Sequence, residues 1–132
     1  VEAGVWSVTS FSELARDGMA VARRNRLHPT QEPDVSWVGR CLDGHAGPVI
    51  AASDYVRAVG EQIRPYVLRD YTVLGTDGFG RSDTREKLRE FFEVDRHHVA
   101  LAALHALGRD EDAAKAIERY GIDADAEAPW RR

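Results

Sequence analysis

The residues best placed to do chemistry lie in one run, GTDGFGRSDTRE from Gly75 to Glu86. A glycine-rich turn between a strand and a helix turns backbone amides outward, where they can cradle an anion. Gly78, Gly80, Arg81 and Ser82 are the candidate anion-binding residues on this reading. The spacing argues against a nucleotide, because Gly-x-x-Gly-x-Gly is not Gly-x-Gly-x-x-Gly and no Gly-Lys-Ser/Thr follows. Asp77 and Asp83 would also repel a phosphate. The simpler reading is a tight turn in which Gly78 and Gly80 give the backbone room and Arg81 pairs with nearby acids.

The other reactive side chains form no recognisable centre. The five histidines are His28, His45, His97, His98 and His105. No two stand at the i, i+4 spacing of a helical metal clip, and His98 and His105 are separated by roughly 10 Å of helical rise. Glu93 and His97 are four apart, but a helix start at Asp95 falls between them. Cys41 and His45 lack an orienting acid and the flanking signatures of thiol hydrolases. No Gly-x-Ser-x-Gly elbow is present. Arg23, Arg24 and Arg26 with His28 make one basic cluster, read as a solvated or subunit-contacting stretch. Trp6, Trp37 and Trp130 can each be core or interface anchors. No catalytic residue and no metal ligand is assigned.

The elements that would position these residues alternate in type. Val5–Thr9 alternates apolar and polar residues and predicts a short strand. A helical turn follows Ser12, with Gly18 interrupting it, and Arg23–Asp34 reads as an extended connection. Pro48–Ser53 predicts a strand buried on both faces. Ser53 or Asp54 then caps a helix whose apolar stripe is Tyr55, Val56, Val59, Ile63 and Tyr66. Tyr71–Leu74 is a second buried strand, which makes a βαβ unit. Further helices start near Thr84, at Asp95 and at Asp110, the last two closed by Gly108 and Gly121. Residues 121–132 have no periodicity and read as a surface tail on a single domain. The fold class is therefore α/β, with helices packed on a mostly parallel sheet and a helical carboxy-terminal third. Three visible strands are fewer than the roughly five of an average sheet, so strands missing from the chain or a covering partner are expected.

Composition narrows the function classes. The 132 residues are 43% hydrophobic and carry a net charge of −4 from 22 acidic and 18 basic residues. That balance offers no positive field for nucleic acid, and no apolar run reaches the roughly 20 residues of a membrane helix. A single cysteine excludes an internal disulfide framework and suits a reducing, cytoplasmic setting. The sequence begins at Val1 without a methionine or a signal-like segment, and Val1 is read as a cleavage or boundary point.

Several stretches carry a resemblance. They are WSVTSFSELARDG from Trp6, RLHP from Arg26, SDYVRAVGEQIRPYV from Ser53, YTVLGTDGFGRSDTREKLREFFEVD from Tyr71 and YGIDAD from Tyr120. Together they resemble the carboxy-terminal domain of the homodimeric bacterial pyruvate dehydrogenases, thiamine-diphosphate-dependent enzymes of the transketolase-like family. The resemblance implies a three-layer α/β/α domain of about five strands whose first strand and helix are absent from this chain. It implies a parent oxidoreductase that decarboxylates pyruvate and acetylates the lipoyl group of a dihydrolipoyl acyltransferase. Thiamine diphosphate and magnesium would be bound by other domains of the homodimer, and this chain would supply structural support and subunit contacts. The alternative is a free-standing binding or regulatory module using the turn 75–82 for an anion or metabolite.

Overall fold

The computed structural model describes residues 2–132. Six α-helices and a two-stranded parallel sheet are present among them. The chain divides into two compact units, one formed by the stretch up to Asp43 with Gln62–Leu68, the other by Gly44–Glu61 with Arg69–Arg132.

In the first unit, helix α1 (Phe11–Leu27) begins where Ser10 Oγ accepts from the Glu13 amide at 3.2 Å. It satisfies one of the free donors that every helix start leaves. The expected break at Gly18 does not occur. An added Cβ there would collide with the Tyr66 ring, so Gly18 is where the helix lets an aromatic side chain approach its backbone. Arg24 and Arg26 lie in the last turn, where positive charge complements the helix dipole. The extended connection therefore starts at His28 rather than Arg23. Helix α2 (Trp37–Leu42), which no periodicity announced, starts at Ser36, whose hydroxyl accepts from Gly39 N at 3.2 Å. The Asp17 carboxylate also takes the Trp37 amide at 2.5 Å. Ala15, Val38, Ile63 and Val67 are the buried apolar residues of this unit.

The strand expected over Val5–Thr9 is not formed, and Val5 is 94% exposed. Alternation makes a segment competent to pair, but a strand exists only where a neighbour supplies the ladder hydrogen bonds.

In the second unit, β1 (Val49–Ala52) pairs in parallel with β2 (Tyr71–Leu74), with Val49 opposite Tyr71 and Ala52 opposite Leu74. The strand–helix–strand order is as expected, but β1 is only half-buried and β2 buries only Tyr71 and Val73. The connecting helix is also shorter than its apolar stripe suggested. Helix α3 covers Arg57–Glu61 and a separate 3-10 turn covers Arg64–Tyr66, with Pro65 inside it. Proline lacks the amide that a continuous helix would need there. Gly60 lets α3 lie on β2, since a Cβ would stand 2.7 Å from Val73 Cγ1, and the Tyr71 hydroxyl donates to Gly60 O at 2.9 Å.

Helices α4 (Arg85–Phe91), α5 (Arg96–Ala106) and α6 (Asp110–Tyr120) complete this unit, and α5 packs on both strands and on α6. Thr84 caps α4, Asp95 caps α5, and Gly108 and Gly121 adopt left-handed φ of 66° and 65° after α5 and α6. Among the described residues no helix is long and apolar enough to cross a membrane.

Candidate functional site

The glycine-rich turn leaves β2 and enters α4, and neighbouring backbone holds it from its first residue. At Gly75 a Cβ would fall 2.5 Å from Arg57 N and 2.7 Å from Tyr55 O, so only glycine permits this approach. Thr76 secures the same junction, its amide donating to Tyr55 O at 2.9 Å and its hydroxyl to Asp54 O at 2.8 Å.

Two carboxylates, Asp77 in the turn and Asp54 beside it, are matched by guanidinium groups. Arg57 Nε donates to Asp77 Oδ2 at 2.8 Å. Arg89, on α4, grips Asp54 with both of its donors, Nε at 3.2 Å and Nη2 at 3.1 Å. That bidentate bond draws the Asp54 carboxyl below its usual value against a smaller opposing effect of desolvation, with Arg85 assisting. Asp83 takes the Thr84 amide at 2.7 Å and so shapes the entry to α4.

The candidate anion-binding residues divide sharply. Gly78 has φ 130°, and a Cβ there would lie 2.8 Å from the Pro129 carbonyl oxygen, so one side of its backbone is covered by the segment Pro129–Arg132. Gly80 has nothing within 4 Å of a would-be Cβ. Arg81 lays its guanidinium over the Phe91 ring at 3.9 Å, and Ser82 is exposed. Phe79, between the two glycines, is 80% exposed. The depression beside the turn is lined by Asp54, Thr76, Gly78, Gly80, Arg81 and Asp83 among others. Paired acids and arginines on a fixed backbone make a structural junction. Nothing here sets a nucleophile beside a free base.

The histidines that sequence reasoning left open have local duties. His98 Nδ1 stands 2.7 Å from Asp95 Oδ1, and the His97 and His98 amides donate to the same oxygen at 3.1 and 2.9 Å. Burial pushes the Asp95 carboxyl up, but the His98 amide and ring, with the His98 and His97 charges, bring it below its usual value. His97 stacks on Tyr120 with ring centroids 4.3 Å apart. His28 caps the end of α1, and His105 faces Asp110 at 3.4 Å on the surface. Arg24 of the basic cluster binds Asp34 at 3.0 Å and Gln31 at 3.1 Å. Among the described residues no three histidine, cysteine or acidic side chains gather to hold a metal ion.

Sequence reasoning missed the pairs Asp54–Arg89 and Arg57–Asp77 and the part played by Trp130 and Arg132. The Arg57 guanidinium lies over the Trp130 ring at 5.0 Å, Arg132 lies over Phe91 at 4.7 Å, and Arg132 pairs with Glu93 at 3.5 Å. No local signal marks them, because the partners are 20 to 73 positions apart in every pair.

Comparison with known proteins gives a consistent answer. A sequence model of the transketolase-like TK C-terminal domain matches residues 1–95. The chain is 58% identical over 135 residues to the pyruvate dehydrogenase E1 component of Pseudomonas aeruginosa, a match covering 98% of this chain and 15% of that protein. It is equally similar, with the same coverage, to the pyruvate dehydrogenase E1 component of Cupriavidus necator. The protein of that name from Escherichia coli K12 is 47% identical, again over 98% of the chain and 15% of its own length. The chain thus spans 15% of the length of these curated relatives.

Proposed function

The chain belongs to the transketolase-like TK C-terminal domain family, and on that premise we propose that it is the structural and subunit-contact domain of a pyruvate dehydrogenase decarboxylating component. The parent protein would use thiamine diphosphate with magnesium to decarboxylate pyruvate. It would then reductively acetylate the lipoyl group of a dihydrolipoyl acyltransferase, as a cytoplasmic homodimer. The observation that carries this reading is the 58% identity over 98% of the chain to relatives named pyruvate dehydrogenase E1 component.

The chemistry of the side chains supports assigning the cofactor elsewhere. Among the described residues a diphosphate at the turn would meet Asp77 and Asp83, with Asp54 beside them, as well as Arg81, and no trio of metal-ligating side chains gathers there for magnesium. This set fits neither the diphosphate nor its metal, so no step of the reaction is routed through this chain. Its contribution would be to hold the glycine-rich turn and the helices beyond it in one arrangement for neighbouring parts of the enzyme to pack against.

The test is a replacement. In the Pseudomonas aeruginosa relative, the region matched here is exchanged for this chain, or deleted, and pyruvate-dependent lipoyl acetylation and sedimentation are measured. The exchanged protein should remain an active dimer, and the deleted one should lose the dimer. A deletion that stays a fully active dimer would overturn the subunit-contact role. An exchanged protein that folds but neither dimerises nor turns over would overturn the functional assignment.

A further inference from the structure

We propose that the segment Pro129–Arg132 is a strap that holds the glycine-rich turn in its observed conformation and that can open without unfolding the helices behind it. Three independent contacts place it. The Pro129 carbonyl lies against the Gly78 backbone, and Pro129 is buried. Trp130 lies under the Arg57 guanidinium, and the same Arg57 donates to Asp77 in the turn at 2.8 Å, so one side chain ties strap and turn together. Arg132 reaches past the other end of the turn, where it shares the Phe91 ring with Arg81 and pairs with Glu93. Glu93 itself has φ 59°, a backbone conformation unusual for a residue with a side chain, just beyond α4.

The nature of these contacts separates a strap from ordinary packing. The segment is in neither a helix nor a strand, and the backbone hydrogen bond formed there is a local one, Arg131 N to Ala128 O at 2.8 Å. Besides the backbone contact of Pro129, what attaches it is a set of ring and charge contacts with one long hydrogen bond, Arg132 Nη2 to Phe91 O at 3.4 Å, on a partly exposed surface, Trp130 being 48% exposed. Such contacts are individually weak and open locally before the fold does. Gly78 and Gly80 give the released turn a wide range of backbone conformations. Engaged, the strap holds the turn and displays Phe79 in one place. Released, it leaves Asp77–Ser82 mobile and uncovers the Gly78 backbone.

The experiment is amide hydrogen exchange on the 132-residue chain, comparing the unaltered sequence with the double variant Trp130→Ala/Arg132→Gln and with Trp130→Phe. In the double variant the Thr76 amide, which donates to Tyr55 O at 2.9 Å, should exchange about tenfold faster while those of α5 and α6 keep their rates, the signature of local opening. Trp130→Phe keeps a ring under Arg57 and should behave as the unaltered chain. Unchanged exchange at Thr76 in the double variant would overturn the proposal. So would equal acceleration of Thr76 and of α5 and α6, because the segment would then support the whole unit. Trp130→Phe matching the double variant would overturn the Arg57 tie.

Discussion

Gly18 and Gly78 are constrained for different reasons, and substitutions separate them. At Gly18, alanine would improve helix propensity by up to about 1 kcal/mol, but its methyl group would drive into the Tyr66 ring. Overpacking of that kind costs about 1–3 kcal/mol, so Gly18→Ala is expected to lower the urea midpoint. At Gly78 both the positive φ and the Pro129 carbonyl oppose a side chain. Gly78→Val should therefore cost on the order of 1–3 kcal/mol. Gly80→Ala, in open space, should leave the midpoint within about 0.5 kcal/mol. The sequence alone placed Gly78 and Gly80 in one class, as glycines needing backbone room. Their difference comes from the positive φ of Gly78 and from Pro129, a residue far from either in sequence.

Among the elements, α5 carries a cap whose contribution should respond to pH. Asp95 caps it and also meets His98, and its carboxyl is held below the ordinary value. A carboxyl depressed by folding stabilises the folded chain fully above its unfolded value of about 3.9, and this contribution fades as pH falls through the folded value. Acid unfolding followed by circular dichroism should therefore begin below about pH 4 at this site, and Asp95→Asn should flatten that limb while keeping a capping oxygen. Asp95→Ala should cost about 1 kcal/mol at neutral pH in chemical denaturation, because two amides at the start of α5 lose their acceptor. This cap was legible from the sequence, since the acceptor and its donors lie within three residues. The shortness of α3 was not, because the apolar stripe from Tyr55 to Tyr66 serves two separate turns.

At the scale of the whole molecule, the interior is thin relative to the apolar surface. Among the described residues no large side chain is completely buried, while Trp6, Met19, Trp37, Tyr55, Phe79 and Trp130 are each more than a third exposed. Among the described residues the sheet consists of β1 and β2, and the edges of so small a sheet act as templates for further pairing. Self-association at micromolar concentration is the expected outcome in sedimentation velocity, and a clean monomer across that range would contradict it.

What the sequence determined by itself was local or comparative. It marked the parallel strand pair around an intervening helix, the cap at Asp95, the glycine stops at Gly108 and Gly121, and the likeness that the family match later established. Each depends on residues within a turn of one another or on the identity of long matched stretches. The tertiary structure alone decided that Val5–Thr9 forms no strand, that α1 runs through Gly18, and that Arg89, Arg57 and Trp130 converge on the glycine-rich turn and its surroundings. A strand needs a ladder partner, a helix can absorb a glycine when a ring fills the space, and an ion pair between distant residues forms only after the chain has brought them together.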